Sequence, residues 1–98
     1  MFAWDVNKSI SNYLKHGISF EQASSVFADS NALEVDDAKH SQHEKRYIRV
    51  GVSDTQKILT VIYTVRRLSN GQEIIRIISA RQASRKERET LARFKDRL

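Results

Sequence analysis

The stretch Ile58-Leu59-Thr60-Val61-Ile62-Tyr63-Thr64-Val65-Arg66, followed across Asn70-Gly71 by Gln72-Glu73-Ile74-Ile75-Arg76-Ile77-Ile78-Ser79-Ala80, decides the fold. Both runs are rich in β-branched residues, and Asn-Gly is the favoured two-residue hairpin turn between strands. Alternation along the first run separates Leu59, Val61, Tyr63 and Val65 from Thr60, Ile62, Thr64 and Arg66, so one face meets a core and the other is partly solvated. A third strand, Arg46 to Val52, precedes them, and the order predicts an antiparallel meander. If the pleat of the last strand is regular, Arg76 and Arg81 point to opposite faces.

Working outward, Phe2-Ala3-Trp4 reads as a short strand. Asp5 is the N-cap of a helix whose apolar positions Val6, Ile10, Tyr13 and Leu14 fall at helical spacing, and Lys15-His16-Gly17 closes it, cations at the carbonyl end and glycine at the left-handed position. Ser19-Phe20-Glu21-Gln22 matches a capping box for a second helix burying Phe20, Ala23, Val26 and Phe27. Ala32 to Val35 is a short strand candidate, and Asp36 to Glu44 a polar loop. At the other end, Ser84-Arg85-Lys86-Glu87 is a second capping box, opening a helix with a narrow stripe of Leu91, Phe94 and Leu98. The sum is a single α+β domain spanning residues 1–98, with its helices gathered on one face of the sheet.

Seventeen Lys and Arg against twelve Asp and Glu leave a net charge of +5. Such a surface attracts polyanions without choosing among them. The absence of cysteine excludes a disulfide framework and thiol chemistry. No apolar run reaches membrane-spanning length and the N-terminus lacks the pattern of a signal peptide, so a soluble cytoplasmic protein with no membrane partner is expected.

The strand ending Arg76-Ile77-Ile78-Ser79-Ala80-Arg81 runs straight into a helix start crowded by Arg85, Lys86 and Arg88. The first turn of a helix favours anions, so this crowding asks for a phosphate or for local carboxylates; Arg85–Glu89 and Glu89–Arg93 are both i,i+4 pairs. Cutting RNA without a metal needs a base for the 2′-OH, cationic donors around the phosphate and an acid for the leaving 5′ oxygen. His16, at a structural junction beside Lys15, is the candidate base. Arg66, Arg76 and Arg81 are candidate phosphate ligands, and Arg76 alternatively pairs with a carboxylate such as Glu44. Glu44 and Arg46 share a face at the entry to the third strand. His40 and His43 sit three residues apart in the polar loop with Asp36 and Asp37 nearby, but no further ligand stands at a recognised metal-site spacing.

Taken together, Trp4-Asp5, Lys8, Asn12, Lys15 to Glu21, His40-Ser41, Glu44, Arg46, Gly51-Val52-Ser53, Tyr63, Arg66, Arg76 to Arg81 and Glu87-Arg88 resemble the BrnT family of toxins over about residues 2 to 88. The resemblance implies a RelE-like fold, two N-terminal helices and a C-terminal helix packed on a mainly antiparallel sheet. It also implies a metal-independent endoribonuclease that arrests translation and growth, needs no cofactor, and forms a hetero-oligomer with a cognate BrnA antitoxin. By position it places Lys15, His16, Arg66, Arg76 and Arg81 in the candidate catalytic set and matches Glu44, Arg46 and Arg88 at patterned positions; these three, with Arg85 from the basic helix start, are the candidate RNA-binding residues. Many relatives carry a tyrosine shortly after the Glu-Arg pair of the last helix, where this chain has about Leu91. The same basic surface is also compatible with a nucleic-acid-binding module that breaks no bond.

Overall fold

The computed structural model describes residues 1–40 and 43–96. Its strands are β1 (Phe2–Ala3), β2 (Leu33–Asp36), β3 (Tyr47–Val52), β4 (Ile58–Arg67) and β5 (Glu73–Gln82), and its helices α1 (Val6–His16), α2 (Phe20–Ser24) and α3 (Arg85–Lys95). They form one five-stranded sheet in the order β1-β5-β4-β3-β2, antiparallel throughout except for β1, which lies parallel to β5. Ser41 of the sequence resemblance and Leu98 of the expected α3 stripe lie outside the described residues.

The caps form largely as the sequence dictates. Asp5 accepts from the Lys8 N–H, Gly17 takes the left-handed conformation at φ 71°, and Ser84 and Glu87 complete both halves of their capping box. At α2 only half a box is present: Ser19 accepts from the Gln22 N–H, while the Gln22 amide donates to the Thr55 hydroxyl instead.

The Asn70-Gly71 connection is a three-residue loop and not the expected two-residue turn. Leu68 C=O accepts from Gly71 N–H, the Leu68 N–H donates to Gln72 C=O, and among its residues only Gly71 has positive φ. That is a type I turn closed by a bulge, whose single left-handed position falls on the glycine. The β3–β4 loop repeats the same bonds between Ser53, Gln56 and Lys57, with Gln56 at φ 65° in the glycine's place.

Two clusters hold the sheet, one on each side. Ile18, Phe20, Ala23 and Val26 bury against Leu59, Val61, Ile77 and Ala80, with Trp4 edge-on to Phe20 at the border. Gly51 permits this closeness: a Cβ there would stand 2.7 Å from the Ala32 Cβ and 3.0 Å from Val26. On the opposite side Leu91 of α3 packs with Val50 and Ala83 and the partly buried Leu33, Ile48 and Ile58. The helices therefore do not share a face: α1 and α2 cover one side, and α3 covers part of the other. The side chains Val6, Ile10, Tyr13 and Leu14 of α1, regular in spacing, stand exposed, and the residue α1 buries is Asn12.

A break in register places the arginines. Ile62 faces Ser79 but Tyr63 faces Ile77, leaving Ile78 without a partner on β4. One extra residue shifts the alternation beyond it, so the pairs Thr60–Arg81, Ile62–Ser79, Thr64–Arg76 and Arg66–Ile74 all point to the same side. Arg76 and Arg81, expected on opposite faces of a regular strand, thus share the face that α3 only partly covers.

Candidate active site

The N-terminus of α3 supplies its own anion. Glu87 accepts from Arg81 Nη1 and Nη2 at 2.7 and 2.9 Å, from the Ser84 N–H at 2.8 Å and from the Thr60 hydroxyl at 2.9 Å. The bidentate guanidinium, followed by those other donors, pushes its carboxyl down to about 2 despite partial burial, and Arg81 is held correspondingly more firmly protonated. The crowding read from Arg85, Lys86 and Arg88 is thus answered inside the chain. Arg85 pairs with Glu89 at 3.1 Å in solvent, and Arg88 donates to the Ala83 carbonyl at 3.0 Å. These two candidate RNA ligands act in the fold as a surface pair and a loop tether.

Further along the same face, Arg66 and Arg76 line one depression with Ala3, Trp4, Asp5 and Ile74. Glu44 pairs with Arg66, loosely at 3.8 Å between exposed groups, and not with Arg76. The Arg76 side chain, half-buried, makes no hydrogen bond or ion pair among the described residues. Beside it in register, Thr64 is fully buried and its hydroxyl has no partner among the described residues.

The middle of the face is a second depression, bounded by Ile48, Ile62 and the bulged Ile78-Ser79, with Arg46, Arg81 and His40 around it. A third lies over the edge of β5, where Lys8, Lys15 and His16 of α1 meet the same Ile78 and Ser79. Asn12 sets that arrangement. Its Oδ1 accepts from the Ala80 N–H at 3.1 Å, and its Nδ2 donates to the carbonyls of Ala80 and Ile18 at 2.8 and 3.1 Å. The amide does for Ala80 what a neighbouring strand would, fixing the last turns of α1 beside the bulge.

The five candidate catalytic residues are therefore distributed, not pooled. Arg66 and Arg76 share one hollow, Arg81 borders a second, and Lys15 and His16 line a third that adjoins the second at Ile78 and Ser79. Sequence reasoning passed over one group: His40 Nδ1 lies 3.2 Å from each carboxylate oxygen of the nearly buried Asp37. The available signal was Asp and His three apart in a loop, which served only as a discarded metal motif. Among the described residues no three His, Cys, Asp or Glu side chains are grouped to hold a metal ion, and no helix is long and apolar enough to cross a membrane.

A cationic sheet face with histidine on both sides of a strand bulge can bind a phosphodiester and move protons around it. Comparison with known proteins leads to the same chemistry. The chain is similar to the Brucella abortus ribonuclease toxin BrnT, whose crystal structure it matches with a TM-score of 0.62 at 25% identity, covering 87% of this chain and 99% of that one. No curated protein sequence matches it. The family described as the ribonuclease toxin BrnT of type II toxin–antitoxin systems matches residues 4–87, and the chain belongs to that family.

Proposed function

We propose that this chain is a metal-independent, RelE-like endoribonuclease whose cutting of RNA stops translation and growth in the cytoplasm until a BrnA-type antitoxin binds it. Arg66 and Arg76 hold the phosphate backbone, with Arg46 and Glu44 bordering the track. Arg81 contributes the N–H groups not given to Glu87, Lys15 adds charge across the β5 edge, and His16 or a neutral Lys15 takes the 2′-OH proton. The 2′ oxygen then displaces the 5′ oxygen and leaves a 2′,3′-cyclic phosphate. The single observation that carries this reading is the bulge at Ile78, which turns Arg76 and Arg81 to the side where Arg66 already points.

Purified protein is expected to cut labelled RNA in the presence of EDTA, to leave a cyclic phosphate end, and to spare a strand carrying 2′-deoxyribose at the scissile position. Arg76→Ala should lower the cleavage rate about 100-fold with an unchanged thermal midpoint, since the removed guanidinium has no partner within the described fold. Retention of RNA without fragments would favour a binding module instead, a reading to which the Arg81–Glu87 pairing lends some support. A strict divalent-ion requirement would contradict the mechanism.

A further inference from the structure

Resting on that ribonuclease reading, we propose that His40, braced by Asp37, is the general acid that protonates the leaving 5′ oxygen. Arginines and a 2′-OH base leave that role unfilled, because guanidinium groups do not give up protons near neutrality.

The geometry suits it. Asp37 is 9% exposed, its backbone N–H donates to the Arg46 carbonyl at 2.9 Å, and the His40 N–H donates to the Asp37 carbonyl at 3.2 Å, so a tight turn anchors both residues to the start of β3. With both carboxylate oxygens at Nδ1, the imidazole has one proton directed inward and Nε2 left for a ligand. The ring itself is 61% exposed. A carboxylate behind the ring fixes its orientation, so that Nε2 is the nitrogen presented to a ligand.

Placement supplies the second argument. In-line displacement sets the attacking and leaving oxygens on opposite sides of phosphorus, so base and acid must approach from opposite sides. The hollow holding Lys15 and His16 and the hollow holding His40 meet at Ile78 and Ser79, with Arg81 and Arg46 bordering the latter. The charged groups around His40 are Asp37 on its own turn, Lys39, His43 and Glu44 along the loop, Arg46 before β3 and Arg81 on β5, the last already neutralised by Glu87. In the reaction the O2′–P bond forms as the 2′-OH proton passes to His16 or Lys15. The P–O5′ bond breaks as Nε2–H of His40 passes to O5′. Products are a 2′,3′-cyclic phosphate and a 5′-OH, and proton exchange with water restores both groups.

The test uses the full chain and two oligonucleotides that differ only in the bridging 5′ atom, oxygen or sulfur, since a thiolate leaves without a proton. His40→Ala should slow cleavage of the oxygen substrate about 100-fold or more, yet cleave the sulfur substrate at nearly the wild-type rate, which also shows that the variant is folded. Asp37→Asn should give a smaller loss with the same sulfur rescue. The double variant Lys15→Ala/His16→Ala, which removes both candidate bases, should remain slow on both. Wild-type speed of His40→Ala on the oxygen substrate, or equal slowing on both, overturns the acid role; failure of the unmodified protein to cut either substrate overturns the ribonuclease reading on which it stands.

Discussion

The two faces of the sheet are built from alternate residues of the same strands, yet they are finished differently. Beneath α1 and α2, aromatic and aliphatic side chains close over β4 and β5, the polar Asn12 and Arg49 that enter this side donate to backbone carbonyls, and Phe27, Tyr63 and Phe2 extend the contact as edge-on ring pairs. Beneath α3 the apolar part is small, three buried residues and their margin, and the rest of the surface carries arginines, threonines and the Arg81–Glu87 ion pair. The comparison teaches a division of labour: one face carries stability, and the other can present cations to a ligand because it is not needed for the core.

Substitutions can break or sharpen that contrast. On the closed face, Phe20→Ala should cost about 3–5 kcal/mol in chemical denaturation, because the ring is wholly buried in the cluster formed by α2, β4, β5 and the flanking Ile18 and Val26. A loss below 1 kcal/mol would mean that the two faces do not differ as described.

On the open face the largest stability effect is expected at Glu87. Its folded carboxyl lies near 2 against a usual value of 4.5, so its contribution is fully present above pH 4.5 and disappears as the pH falls toward 2. With the Arg81 side chain 43% exposed, solvent screening limits the effect, and Glu87→Gln should cost about 1–2 kcal/mol at pH 7. The gap between the denaturation curves of the two proteins should shrink as the pH falls from 4.5 and close only below 2; a constant gap would show that the loss comes from the helix cap alone.

The smallest expected difference lies within one strand. Thr60 and Thr64 are both buried on the open face of β4, but the Thr60 hydroxyl donates to Glu87 and the Thr64 hydroxyl has no partner among the described residues. Thr60→Val should lose about 1 kcal/mol, while Thr64→Val should be neutral or slightly stabilising. Equal losses at the two positions would indicate that Thr64 has a hydrogen-bond partner.

Much of this was legible in the sequence where local chemistry decides the outcome. Alternation along β4 correctly separated Leu59, Val61 and Tyr63 from Thr60 and Thr64, and Asp5, Gly17 and Ser84 marked helix ends because capping depends on neighbours only a few residues away. What escaped depends on partners far along the chain. No residue type announces the bulge at Ile78, which arises from how β5 pairs with β4. Asn12 looks like any helix-surface amide until Ala80, 68 positions away, is set against it. The apolar spacing of Val6, Ile10, Tyr13 and Leu14 was real, but the sheet engages the other side of α1. For the site, the arginines of β4 and β5 could be named from the sequence, whereas their shared face, the Arg81–Glu87 pairing and the Asp37–His40 contact required the packed chain.

The unpaired Ile78 makes the working half of β5 sensitive to chain length in a way that no side-chain exchange would reveal. Removing that one residue would restore a flawless ladder while rotating either Arg76 or Arg81 into the oily interior. A hairpin that looks more regular on paper would be the one that parts the two arginines the proposed reaction needs side by side.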